Sequence, residues 1–191
     1  MQIGTVPYKG KVLPIIVEPK QWRDIRIVSG KEVRVNSKTG ASAQELFMPR
    51  YNALVKSELQ SIVKKALPKF LNKKIRYEVL YTNGTKKVQK LSAKEWASML
   101  GIETIKHVIG SYDSEWGINQ IDNKKREFIL HFNLNLIKFD SGDKINYVVA
   151  HEVAHVFERG HDKAFEKVLQ QLYPRSKQSE KFWNKDYARK L

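Results

Sequence analysis

The chain has 191 residues and no cysteine, which excludes a disulfide framework and leaves only His and carboxylate ligands for any zinc site. This length suits one domain, or one core with a small appended subdomain. No stretch resembles a membrane span or a secretory signal, so we expect a cytoplasmic protein. The net charge of +15 is uneven: residues 1–100 carry 20 Lys/Arg against 7 Asp/Glu, and residues 101–191 carry 15 against 13.

The basic half, residues 1–100, has two interpretations. An anionic partner, either nucleic acid or the ribosome, would be attracted to it. Alternatively, the many lysines reflect the composition of the genome and solvate an ordinary surface. The lysine pairs at 64–65, 73–74 and 86–87 are spread along the chain rather than clustered, so both interpretations stay open.

The first predicted elements are a β-hairpin and a helix. Residues 23–28 and 32–36 alternate polar and apolar side chains on either side of Ser29-Gly30-Lys31, which predicts a hairpin. After Pro49, apolar residues recur at helical spacing to about residue 67, and Pro68 should break or kink that helix.

A second hairpin and a short helix follow. Residues 75–80 and 85–91 flank Asn83-Gly84, a sequence typical of a tight turn between two strands. Residues 92–95, SAKE, form a capping box that should open a short helix, and Gly101 should end it.

Two further segments, residues 104–109 and 126–137, have the composition of strands. Alternate positions of the second segment are apolar over most of its length. Such a strand could form the lip of a cleft, to which an extended peptide adds by backbone hydrogen bonds. The alternative is an internal strand.

Residues His151 to His161, HEVAHVFERGH, hold three of the five histidines. On a helix, His151 and His155 project from one face a turn apart, so both imidazoles can bind one metal ion. Glu152 lies close enough to act on a metal-bound water. The flanking residues are apolar on nearly every side, as in a buried helix, where unbonded His and Glu are costly. The alternative is two core histidines with backbone partners and a surface Glu152.

A third ligand is expected after the helix. His161 lies six residues beyond His155, and Gly160 is placed to turn the chain back in a left-handed conformation. That turn makes His161 the favoured third ligand. Glu166 and Glu180 are the alternatives, since some zinc enzymes take a glutamate from a later helix.

The ends of the helices around the motif can also be predicted. Asp140, Ser141 and Asp143 are candidate N-terminal caps of the motif helix. Asp162 should cap a second helix, whose apolar spacing of three and four indicates core packing. Residues 175–191 are charged but contain three aromatic side chains, so we expect a docked terminal helix.

The order of these features resembles the YgjP-like metallopeptidase family, which is related to the SprT-like zincins. The residues that carry the resemblance are Tyr147-Val148-Val149, His151-Glu152, Ala154-His155, His161, Phe165, Trp116-Gly117 and a strand asparagine, Asn133 or Asn135. The chain departs from the family pattern at Glu115, where arginine is usual, at Ile118-Asn119, where Ser-Cys is usual, and at Gly160, where asparagine is usual.

The resemblance implies an α+β fold: a zincin-like core with a small antiparallel sheet beside an active-site helix, plus an N-terminal β-hairpin region. It also implies one zinc ion, held by His151, His155 and His161, with Glu152 as the catalytic base. We expect a basic hairpin and helical region at residues 1–100 and the metallohydrolase core at residues 101–191, within one compact unit.

A zinc metallopeptidase acting on a peptide or protein is therefore the leading hypothesis. A water activated by zinc and Glu152 would attack an amide carbonyl. His107, His131 and Tyr112 are candidates for a further group that stabilises the oxyanion. The alternatives are a zinc phosphohydrolase that acts on nucleotides or nucleic acid, and a non-catalytic zincin bound to nucleic acid or the ribosome.

Overall fold

The computed structural model describes residues 2–19, 24–37, 40–113, 115–138 and 143–180. Within these ranges the protein is a mixed α+β structure with three small sheets. None of the helices in this part of the chain combines the length and the apolar character that crossing a membrane requires.

The first sheet has four strands in the spatial order β1-β2-β4-β3. They are β1 (Gln2–Tyr8), β2 (Lys11–Pro19), β3 (Asp24–Val28) and β4 (Glu32–Ser37). The predicted hairpin is confirmed, because β3 and β4 pair antiparallel around a turn in which Ser29 and Gly30 have positive φ. The sheet is more than a hairpin, however, since β2 pairs parallel with β4 and thereby aligns the buried Ile15 with Val33.

A 32-residue helix, α1 (Gly40–Leu71), follows the first sheet. The sequence placed its start after Pro49 and a break or kink at Pro68, but the helix extends past both prolines. Each proline removes one hydrogen bond from the helix. Phe47, before the first proline, and Phe70, after the second, are both buried, so the packing of these flanking turns offsets the lost bonds.

The second hairpin and the short helix are where the sequence predicted them. They are β5 (Ile75–Leu80), β6 (Lys86–Leu91) and α2 (Ala93–Met99). Gly84 has a φ of 79° in the turn between the two strands. The capping box is present as well: Ser92 accepts a hydrogen bond from the Glu95 backbone, and the Glu95 side chain accepts one from the backbone N–H of Ser92.

The third sheet, in the order β7-β9-β8, corrects one prediction and decides another that was left open. Its strands are β7 (Thr104–Gly110), β8 (Gly117–Asp122) and β9 (Glu127–Asn133). The sheet is mixed rather than antiparallel, since β9 pairs parallel with β7 and antiparallel with β8. The segment that could have formed the lip of a cleft is the central strand, β9, so the alternative of an internal strand is confirmed. β8 is an outer strand.

The strand predicted to run to residue 137 ends at Asn133, and residues 134–138 form a 3₁₀ helix. Asn133 is fully buried, and its Oδ1 accepts a hydrogen bond from the backbone N–H of Asn135 at 2.9 Å. Its Nδ2 donates to the carbonyl oxygens of Tyr112 and Glu115, each at 2.7 Å. One side chain therefore ends the strand and fixes the segment that leads into β8.

The motif helix and the helix after it complete the core. They are α3 (Asp143–Ala154) and α4 (Lys163–Leu172). α3 packs against α1, β8 and α4, and the buried residues of both halves of the chain form one hydrophobic cluster. Asp162 caps α4 as predicted, because its side chain accepts hydrogen bonds from the backbones of Ala164 and Phe165.

Some predictions fall partly or wholly outside the described residues. Asp140, Ser141 and the side chain of Asp143, the candidate caps of α3, are among them. Residues 176–180 are helical, whereas the rest of the predicted terminal helix, residues 181–191, is not described.

Replacing Asn133 by alanine should lower the free energy of unfolding by about 3 kcal/mol, because three hydrogen bonds to backbone groups are lost and each contributes about 1 kcal/mol. Urea unfolding followed by tryptophan fluorescence measures this loss. Asn135→Ala is the matched control, since it keeps the backbone N–H that Asn133 binds. Equal losses in the two variants would contradict the role given to Asn133.

Candidate metal centre

The structure brings together the three histidines of the motif. His151 lies in the last turn of α3, His155 directly follows that helix, and His161 precedes α4. The potential ligand atoms of the three side chains all lie within 4.8 Å of one another, and Nε2 of His151 is 3.0 Å from Nε2 of His161. A tetrahedral zinc ion with bonds near 2.0 Å holds its nitrogen ligands roughly 3.3 Å apart.

The turn that returns His161 differs from the predicted one. Gly160 does not have a positive φ, so the left-handed turn expected there is wrong. The helix ends earlier, at Ala154, whose carbonyl accepts hydrogen bonds from the N–H groups of Phe157 and Glu158 at 3.0 and 3.1 Å. The chain therefore turns over residues 155–158, and this turn contacts the imidazole of His155.

The ring of His155 is part of this turn. Its Nδ1 lies 2.9 Å from the carbonyl oxygen of Glu158, and because a carbonyl can only accept, Nδ1 carries the proton. The lone pair is then on Nε2, the nitrogen that remains for a metal. Nδ1 of His151, by contrast, is buried and has no hydrogen-bond partner among the described residues.

An apolar side chain supports all three rings. The ring of Phe165, in α4, lies 4.9, 4.5 and 4.8 Å from the rings of His151, His155 and His161, measured between centroids. Phe165 is itself buried. It therefore restricts the orientations that the imidazoles can adopt and keeps water from their rear side.

The charge states of His151 and His155 suit metal binding. Burial is the main cause that lowers the pKa of His151 to about 3, and the neighbouring rings of His155 and His161 lower it further. Burial also lowers the pKa of His155, and the hydrogen bond to the backbone of Glu158 opposes this decrease. Neutral imidazoles carry the lone pairs that a metal ion needs. Three imidazole nitrogens at these distances fit one divalent metal ion.

Glu152 is buried beside the cluster, with only 3% of its surface exposed. This excludes the alternative in which it lies at the surface. Burial raises the pKa of its carboxyl group to about 8, while a hydrogen bond donated by Nδ2 of Asn119 to Oε2 opposes the rise. A divalent cation nearby would favour the charged carboxylate as well.

Glycine is required opposite Glu152 for a steric reason. A Cβ atom on Gly117, the first residue of β8, would lie 2.7 Å from Cγ of Glu152 and closer still to its carboxylate. No real Cβ contact is that short. The backbone of β8 can approach α3 this closely only because residue 117 has no side chain.

An open cleft of about 450 Å³ lies over the cluster. One wall is β8, and the other contains His151, Glu152, His155 and His161. The three oxyanion candidates are not among its lining residues. His131 binds Tyr112 through its Nδ1 at 2.8 Å, and it alternates along β9 with core residues, which places it on the opposite face of the sheet. His107 is in β7, two strands away from β8.

Two residues at the site were missed by the sequence analysis. Asn119 contacts Glu152, although 33 positions separate them. The hydroxyl of Tyr77, in β5, lies 3.1 Å from the carbonyl oxygen of Phe157 and 3.0 Å from Oε1 of Glu158, so it anchors the turn that holds His155. No local pattern marks Tyr77, and Asn119 was noted only as a departure from the family pattern, without a role at the site. Glu166 and Glu180, the alternative ligands, are not part of the histidine cluster.

Comparison with known families agrees with this arrangement. The sequence profile described as "YgjP-like, metallopeptidase domain" matches residues 4–185, which includes the N-terminal sheet and the histidine cluster. No curated protein and no solved structure gives a significant match. Because the matched region covers nearly the whole sequence, the chain belongs to the YgjP-like metallopeptidase family.

Proposed function

We propose that the protein is a zinc-dependent peptidase in which His151, His155 and His161 hold the metal and Glu152 is the general base. The observation that carries this proposal is the convergence of three imidazoles beside a buried carboxylate in an open cleft. Membership of a metallopeptidase family supports a metal cofactor and a peptide substrate.

Bound by these histidines, zinc would lower the pKa of a coordinated water to about 7 and polarise the carbonyl under attack. Glu152 accepts a proton from the attacking water and returns it to the leaving amine. Asn119 fixes the orientation of the carboxylate through Oε2. The approach of Gly117 covers the carboxylate and keeps bulk water away from it.

The substrate would lie along β8. This outer strand contributes Gly117, Ile118, Asn119 and Ile121 to the cleft. An extended peptide can pair with the open edge of such a strand by backbone hydrogen bonds, which fix its position independently of sequence. The peptide would then pass over the histidine cluster.

The alternatives have less support. Phosphoryl transfer needs several cationic groups around the phosphate, whereas Arg159 is the one permanent cation among the described residues that line the cleft. A purely structural zinc site uses four protein ligands, and this cluster offers three. An anionic partner of the basic residues 1–100 would be an additional interaction, separate from the cleft.

Glu152→Gln should lower the rate of peptide hydrolysis by about 100- to 10,000-fold, because the amide cannot accept the proton of the attacking water. Zinc content, measured by mass spectrometry with plasma ionisation, should stay at one ion per chain. Glu166→Gln is the control that should keep both activity and zinc. Undiminished hydrolysis by Glu152→Gln would refute its role as the base.

His155→Ala should lose most of the bound zinc, whereas His131→Ala should keep it. Zinc should also raise the melting temperature of the wild-type protein by about 5 to 10 °C at about 100 times its dissociation constant, because it binds only the folded state. The chelated wild type and His155→Ala should both lack this increase in calorimetry. Normal zinc content in His155→Ala would contradict the assignment.

Tyr77→Phe should weaken zinc binding by about 10-fold, since the turn that orients His155 loses its anchor. Competition with a coloured chelator measures the affinity. Tyr81→Phe, directly after the same hairpin strand, removes a hydroxyl that binds Gln89 instead and should leave the affinity unchanged. Equal affinities of Tyr77→Phe and the wild type would show that the hydroxyl has no such role.

A further inference from the structure

A second cavity, of about 270 Å³, adjoins the cleft over the histidine cluster. Eight of its eleven lining residues are apolar, and they come from α2 and the loop after it, from β8 and β9, and from the turn after α3. Its polar lining residues are Asn123, His155 and Arg159. The cavity is therefore an apolar space next to a polar centre.

The two cavities share part of their walls. Ile121, Asn123, Phe128, His155 and Arg159 line both of them. One of the shared residues, His155, is a proposed zinc ligand. A group bound in the apolar cavity would therefore lie within one residue of the bond that is cleaved.

The walls of the second cavity are held in place by packing. Trp96, in α2, stacks on Phe157 with the ring centroids 6.5 Å apart and the planes within 8°. Tyr77 packs edge-on against Trp96, at 4.9 Å between centroids. The capping box fixes the first turn of α2. The cavity is consequently formed before any ligand arrives, which reduces the entropic cost of binding.

The size of the cavity limits what it can bind. Pockets for drug-sized ligands have volumes of about 300 to 1,000 Å³, so a cavity of about 270 Å³ suits a single large side chain. Leu100, which is 56% exposed, is one of its lining residues. Its neighbour Met99 is 51% exposed and does not line either cavity.

We propose that this cavity binds the side chain of a bulky apolar residue next to the scissile bond, and that Leu100 helps to determine this specificity. The preferred substrates are then peptides with a leucine, methionine or phenylalanine at that position. The inference rests on the proposed peptidase function, because the metal centre defines which bond is cleaved.

The test uses two small zinc-binding probes, phenylalanine hydroxamate and glycine hydroxamate, which share the chelating group and differ in the side chain. Calorimetric titration of the zinc-loaded full chain should give about 10- to 100-fold tighter binding of the phenylalanine compound, from burial of its ring. Leu100→Glu places a carboxylate at the cavity and should reduce this ratio by about 10-fold. Met99→Glu makes the same charge change one residue away and should keep the ratio.

Equal affinities of the wild type for the two probes would overturn the inference, as would equal effects of Leu100→Glu and Met99→Glu. Digestion of a mixed peptide library, with Glu152→Gln as the inactive control, separates this inference from the proposed function. Cleavage without an apolar preference overturns the inference alone. The expected affinity ratio without any cleavage overturns the peptidase function and reduces the inference to the binding of an apolar group in the cavity. Failure to bind either hydroxamate overturns both.

Discussion

The close approach of β8 to α3 is the constraint on which the rest of the site depends. The backbone of Gly117 lies against the side chain of Glu152, where no Cβ atom would fit. This contact buries the carboxylate and brings Asn119 within reach of it. It also makes β8 one wall of the cleft, so the same contact that positions the proposed base determines where a peptide would lie.

Burying a carboxylate and two imidazoles in an apolar core is costly unless they are paired or bind a metal. The surrounding structure holds them in place through contacts from distant parts of the sequence. Phe165 supports the three imidazole rings, and Tyr77 anchors the turn that orients His155. The long helix α1 packs against α3 and also against the first sheet. The basic half of the chain is thus part of the framework that supports the site.

In the proposed function, the polar centre and the apolar cavity beside it would have separate roles. The cluster of histidines and Glu152 would perform the chemistry, which is the same for any amide bond. The cavity, with walls fixed by Trp96 and Phe157, would select the side chain next to that bond. Because the two share His155, occupancy of the cavity would place the scissile carbonyl near the metal, which is how binding energy can be used for orientation.

The sequence by itself determined the features that depend on contacts within a few residues. The two hairpins, the capping box at Ser92, the cap at Asp162 and the placement of His151 and His155 one turn apart all follow from short-range spacing. Tertiary structure decided the order of β7, β9 and β8, the passage of α1 through two prolines, the turn that returns His161, and the contacts of Asn119 and Tyr77. Local periodicity specifies which face of an element is apolar. Which elements then meet depends on burial summed over the whole chain, and a side chain 81 positions away leaves no trace in the local pattern.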